Sequence, residues 1–452
     1  MENSVISPLR SIILGSLMLV GLTACSLDRL VNVEEPEGEV QVELDAVRSR
    51  EGGIGLYYTA LGRLQSALST NSLGIGLLTD ELTVRPGNAD ILTEIDARIE
   101  RADRFWRPYQ PLQSYRDLHS ARINAAQARS ILKVLQDSSV RHVIAGAYAI
   151  EAYSVLLLAE NLCSGIPLSS VPFAGDIQLH AGVSTAEVFR TAIALFDSAL
   201  AIPHDSARFV TLARVGKGRA YLGLGHLDSA AKAVEEVQTD HAFVVTYTNN
   251  TPPGGTAASS VAFWTTTTSQ PYTRVEVVNF EGGNGLMWYQ QTGAQDPRVP
   301  IQREVIGGVP VVRQQKFVGG QLTFPLARGV EALLIRAEYY LSQNDPRWLD
   351  EVNAARQTVG LPDTTDPGSD AQRIDLLFRE RAHWFYLEGV RLSDYRRLVR
   401  QYQRNFSAVY PSGPYTRTSG TVPFYGNAMV FGPPDSEYEL NYLYDGCQHM
   451  NP

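Results

Sequence analysis

Between Arg328 and Arg397 the apolar residues recur three times in succession at the helical period, and this constrains the chain more than any other feature. Val330, Leu333, Leu334, Ala337 and Leu341 form one stripe. Asp345-Pro346 then supplies an N-cap followed by proline, and Trp348, Leu349, Val352 and Ala355 form a second stripe that ends near Gly360. The two stripes predict a short helical hairpin. A third helix is expected after Asp370, with Ile374, Phe378, Ala382, Phe385, Gly389 and Leu392 on one face. Gly389 interrupts that face inside the expected helix, which close approach of another backbone would explain.

Beside the third stripe lie Arg381, Glu388, Arg391 and Asp394. Glu388 with Arg391, and Arg391 with Asp394, are three apart and can pair. A half-buried structural network is the expectation. General acid/base work needs a concave site, whereas these charges line a packing helix.

The order Arg336-Ala337-Glu338-Tyr339, Val352-Asn353-Ala354-Ala355-Arg356, Phe378-Arg379-Glu380-Arg381 and Glu388-Gly389-Val390-Arg391, with Asp394 and Arg397, resembles the C-terminal signature of the SusD/RagB family of outer-membrane nutrient-binding lipoproteins. The Ala- and Tyr-rich run ending in Gly165-Ile166-Pro167-Leu168 is similar to that family, as are Asp296-Pro297-Arg298 and Pro433-Pro434 with Glu437 and Asn441. The resemblance implies a mainly α, superhelical SusD-like fold of tetratricopeptide-like hairpins with a loop-rich, short-strand insertion. It also implies an oligosaccharide or peptide ligand and a SusC-like, TonB-dependent outer-membrane barrel as partner.

The leader bears on location. Arg10 precedes an apolar run from Ile12 to Leu22, long enough for a signal peptide and too short to span a bilayer. Leu22-Thr23-Ala24-Cys25 resembles the bacterial lipobox, in which the cysteine is lipidated. An ordinary signal peptide with an incidental cysteine is the alternative. Residues 1–24 are thus read as a lipoprotein signal peptide, 25–43 as an extended acidic tether, and 44–452 as a single domain on the outer membrane, at the cell surface. Within the domain, about 44–239 and 328–400 form the helical scaffold, and about 240–327 and 401–452 a loop-rich subdomain. Of the three cysteines, Cys163 and Cys447 then remain as an even pair in an oxidising compartment. A disulfide is expected, against two separate buried thiols.

Helical periodicity also runs through Ile54, Tyr57, Leu61, Leu64 and Leu68, through about 109–136 and through 141–161. Segment 183–203 carries a further stripe, with Ser184 and Glu187 at capping-box spacing, and 213–237 approximates a tetratricopeptide hairpin. Each hairpin would bury its inner face on the next. From 240 to 327, short β-type runs at Phe243–Val245, Val275–Val278 and Val309–Val312 alternate with Thr, Gly and Pro clusters.

A net charge of −9 speaks against a nucleic-acid partner. The eight histidines include no HxxxH pair, and Gly282-Gly283-Asn284-Gly285 lacks the lysine of a phosphate loop. No catalytic residue, metal site or cofactor is assigned, and the chain is read as a non-enzyme. Sugar rings stack on aromatic side chains in concave sites. Trp106, Tyr109, Trp264, Tyr272, Trp288 and Tyr289 lie in or beside loop-rich segments and are the candidate ligand-binding residues, although any one of them can instead pack under a loop. The sequence therefore reads as a lipid-anchored receptor that captures a nutrient for a transporter. The alternative is a tetratricopeptide-like lipoprotein scaffold for protein–protein interaction in the envelope.

Overall fold

The computed structural model describes residues 48–85, 91–99, 111–173, 176–248, 275–282, 285–318, 321–416 and 422–448. The leader, Cys25 and the tether lie outside the described residues. From Ser49 onward the chain forms one unit.

Ser49 accepts the Gly52 N–H and starts α1 (Arg50–Leu78). This long helix packs on α3 (Pro111–Val134), which packs on α4 (Arg141–Asn161). The short α2 (Ile91–Asp96) packs against the far end of α1. Helix α4 is apolar enough to cross a bilayer, but 89% of its most apolar window is buried, so it is the central helix of the core. It meets α5 (Thr185–Ala201), whose start carries the full capping box of Ser184 and Glu187. Next comes α6 (Ala207–Leu224), where a Cβ on Gly216 would stand 2.3 Å from the Phe196 ring. Only glycine lets α5 and α6 approach so closely. Gly225, at φ +77°, turns the chain into α7 (Leu227–Ala233), which docks on α8 (Gly329–Ser342). Helices α8 and α9 (Arg347–Gln357) form the hairpin expected from the first two stripes.

The third stripe behaves differently. The helix expected to run on through Leu392 stops at Trp384 and resumes at Arg391, giving α10 (Asp370–Trp384) and α11 (Arg391–Arg400). Gly389 lies in the turn between them at φ +75°, with only the Ile75 methyl 3.5 Å from where its Cβ would be. Left-handed backbone, not close approach of another chain segment, is what this position requires. The end of α1 fixes the break: Glu81 Oε1 accepts the Leu387 N–H at 2.8 Å, and the Ser72 hydroxyl donates to the Leu387 carbonyl. Arg328 and Lys316 donate to the carbonyls of Trp384 and Tyr386 at 2.6 and 2.8 Å, so the freed acceptors at the end of α10 meet cations.

The loop-rich insertion folds into antiparallel pairs. Strand β1 (Leu82–Val84) pairs with β5 (Val275–Val277), and β4 (Ala242–Thr248) with β8 (Gln321–Arg328). Strands β6 (Ile301–Ile306) and β7 (Val309–Gln314) form a hairpin through Gly307 and Gly308, both at positive φ. A short pair, β2 (Ile166–Pro167) with β3 (Gly182–Val183), follows α4. Cys163 and Cys447 are joined in a disulfide, with Cα atoms 5.7 Å apart. The tail it holds is also laced to the end of α4: Cys163 N–H donates to Phe431, and Ser164 exchanges two backbone hydrogen bonds with Gln448. Two one-turn helices, α12 (Phe406–Val409) and α13 (Asp435–Leu440), punctuate that tail.

Candidate functional site

The charges of α10 and α11 pair differently from the two pairs the sequence suggests. Arg381 reaches across the turn to Asp394, at 2.8–3.0 Å. Arg397 binds Asp394 at 3.3 Å and also Glu338. Arg391 makes a two-pronged pair with Glu281 at 2.8 and 2.9 Å, and Glu388 holds Arg328 and Lys316 at 2.7 and 2.8 Å. Neither the Glu388–Arg391 nor the Arg391–Asp394 pair forms. Burial works against the Arg391 charge, but Glu281 outweighs it and holds the proton above the usual guanidinium range. The Arg391–Glu281 and Lys316–Glu388 pairs join the loop-rich part to the helical scaffold.

Strand β1, the end of α2 and Tyr415 meet on a single carboxylate. Asp96 Oδ2 accepts from Val84 N–H, from Thr83 Oγ1 and from the Tyr415 hydroxyl, at 2.8–2.9 Å. Tyr415 meets Tyr425 edge-on at 5.1 Å. Phe424 beside them is 61% exposed and Phe280 is 54% exposed. Trp106, Tyr109, Trp264 and Tyr272 lie outside the described residues. Trp288 is 1% exposed; its indole N–H donates to the Asp80 carbonyl at 2.7 Å and its ring packs on Tyr386 and His383, which is the setting of a core ring. Tyr289 is buried, with the Arg303 guanidinium over its face at 5.2 Å.

A cleft of about 770 Å³ opens between the segment 285–298 and the segment 356–383. One wall is the turn after Phe280, whose backbone bridges Met287; Leu286 and Met287 supply apolar surface, with Met287 41% exposed. The floor is ionic. Glu380 accepts from Arg298 at 2.5 Å and from Arg356 at 2.6 Å, and Arg298 also grips Asp296 at 2.7 Å. The opposite wall carries Thr364, Gln372 and the exposed Arg379, and Gln290 adds another amide. His383 is buried at the edge, its Nδ1 2.8 Å from the Arg379 carbonyl, and burial keeps its pKa below the usual imidazole value. Apolar surface beside fixed amides, hydroxyls and guanidinium groups suits a polyhydroxylated ligand. Among the described residues no group of three His, Cys, Asp or Glu side chains is placed to hold a metal ion.

No protein-family model matches the chain, and no curated protein matches it in sequence. Solved structures do. A SusD superfamily protein of Bacteroides thetaiotaomicron superposes with a TM-score of 0.66 at 14% identity, covering 89% of this chain and 100% of its own. A SusD-like carbohydrate-binding protein of Bacteroides vulgatus gives 0.59 at 16% identity, covering 88% and 97%. A laminarin-binding SusD-like protein gives 0.52 at 14% identity, covering 78% and 92%. The chain has the SusD-like fold, a mainly α architecture of stacked helix hairpins carrying a loop-rich insertion.

Asp296, Arg298, Arg356 and Glu380 stand in the sequence motifs that carry the resemblance, yet the sequence gives no sign that they share one cleft floor. The signal that could have drawn attention to them is charge: two arginines and two acids inside otherwise helix-packing motifs.

Proposed function

We propose that this chain is a lipid-anchored surface protein that binds an oligosaccharide in the cleft between 285–298 and 356–383 and hands it to a TonB-dependent outer-membrane barrel. The observation that carries the reading is the cleft itself, on a fold shared with two proteins described as binding carbohydrate. The mechanism is capture without chemistry. The helical stack keeps the ionic floor in place, Leu286 and Met287 give apolar surface to sugar faces, and the amides of Gln290 and Gln372 meet hydroxyls. Trp106, Tyr109, Trp264 and Tyr272 are proposed from sequence as additional stacking residues. Lipidation at Cys25 would hold the protein at the outer membrane.

The test is titration calorimetry of residues 26–452 against defined oligosaccharides and, separately, peptides. Saccharide binding that is weakened by Gln372→Ala and Met287→Ala supports the reading. Binding of peptides alone, turnover of a saccharide, or saccharide binding indifferent to both substitutions overturns it. Location has its own test: Cys25→Ser should release the protein from the membrane fraction, and unchanged membrane association would exclude the anchor.

A further inference from the structure

The cleft has a charge surplus that its own residues do not neutralise. Arg298, Arg356, Arg379 and Arg391 line it, and a fifth arginine, Arg404, holds the cleft carboxylate of Asp375 at 2.8 Å. The carboxylates against them are Asp296, Glu380, Asp375 and, behind Arg391, Glu281. Among the described residues one cation is therefore in excess, and His383 adds none at neutral pH because burial lowers its pKa. Arg379 is that cation: it is exposed on the cleft wall, and no hydrogen bond or ion pair of its side chain is found among the described residues. Arg391 also lines the cleft. It is 4% exposed and two of its nitrogens bind Glu281, so its charge is already paired.

We propose that the cleft selects saccharides bearing an anionic group, a uronate carboxylate or a sulfate ester, with Arg379 as the residue that reads the charge. This rests on the carbohydrate-binding reading above. Guanidinium groups bind both anions through paired N–H donors, and a hydrogen bond to a charged partner contributes more than one to a hydroxyl. The acidic chain as a whole, at −9, would repel such ligands, so discrimination has to come from this local surplus.

The test compares a neutral gluco-oligosaccharide, an oligogalacturonate and a sulfated galacto-oligosaccharide of equal length, titrated into residues 26–452. Wild type should bind at least one anionic fragment more tightly than the neutral one by about tenfold or more. That preference should shrink as salt is raised from about 0.05 to 0.5 M. In Arg379→Gln the ratio of anionic to neutral affinity should collapse towards unity, and Arg379→Lys should restore part of it. The two anionic arms separate carboxylate from sulfate recognition. Equal affinity for neutral and anionic fragments, or a preference that survives in Arg379→Gln, overturns the inference while leaving carbohydrate binding intact. No binding of any saccharide overturns both. The wild-type salt dependence does not rely on any variant folding.

Discussion

Glu81 is fully buried at the end of α1, where its carboxylate holds the Leu387 N–H. Burial pushes its pKa from 4.5 to about 8, against the pull of the Leu387 hydrogen bond and of Arg391 and Lys316. The folded-state value exceeds the unfolded one, so folding favours the protonated acid. The stability this group confers is complete below its unfolded pKa of 4.5 and is lost as pH rises towards 8. Glu81→Gln keeps an oxygen for Leu387 and removes the titration. Urea unfolding should show wild type losing a few kcal/mol relative to this variant between about pH 5 and pH 8.5, and parallel curves would refute the assignment. Arg381 poses the opposite case, since its partner Asp394 is as buried as it is. Arg381→Ala leaves that carboxylate with only Arg397 and should cost about 3–5 kcal/mol, read from the same unfolding experiment. The sequence marked Arg381, Glu388, Arg391 and Asp394 as a structural set, but not their partners. Glu281, Arg328 and Lys316 come from distant elements, and helical spacing carries no information about them.

At the scale of elements, apolar periodicity was sufficient wherever a helix ran uninterrupted: α1, α4, α5, α8 and α9 all follow their stripes. It failed at 385–390, because a stripe continues across a turn when the turn is itself buried. Phe385, Tyr386, Leu387 and Val390 are all in the core, so their pattern looks helical while Leu387 and Gly389 are left-handed. Gly389→Ala tests this directly. Its methyl would meet only Ile75 at 3.5 Å, so crowding is minor and the cost is the left-handed conformation, about 1–2 kcal/mol. Gly216→Ala should destabilise for the other reason, overpacking against Phe196, by about 1–3 kcal/mol. A second-site Phe196→Leu substitution should recover part of the Gly216→Ala loss and none of the Gly389→Ala loss. Strands β1 and β8 escaped the reading because Leu82–Val84 is only three residues long and a strand containing Pro325 does not announce itself.

For the whole molecule, what the sequence could not supply is juxtaposition. The cleft joins Met287 and Arg298 to Arg356 and Arg379 across the β6–β7 hairpin, β8 and α8, and no local pattern encodes that meeting. The cysteine pair was legible because parity and compartment limit the options, and its consequence is global. Cys163 closes α4, the central buried helix, while Cys447 lies 284 residues later in a tail that otherwise touches α4 through a few backbone hydrogen bonds. Cross-linking so long a loop chiefly restricts the unfolded chain, with a typical contribution of about 2–5 kcal/mol. The double substitution Cys163→Ser with Cys447→Ser should therefore lower the unfolding midpoint, while the cleft, built from 285–298 and 356–383, keeps the saccharide affinity proposed for it. If affinity falls in step with stability instead, the tail is coupled to the cleft and the helical stack is not the rigid support described above. Adding reductant to wild type should reproduce the stability loss, and to the double variant should do nothing.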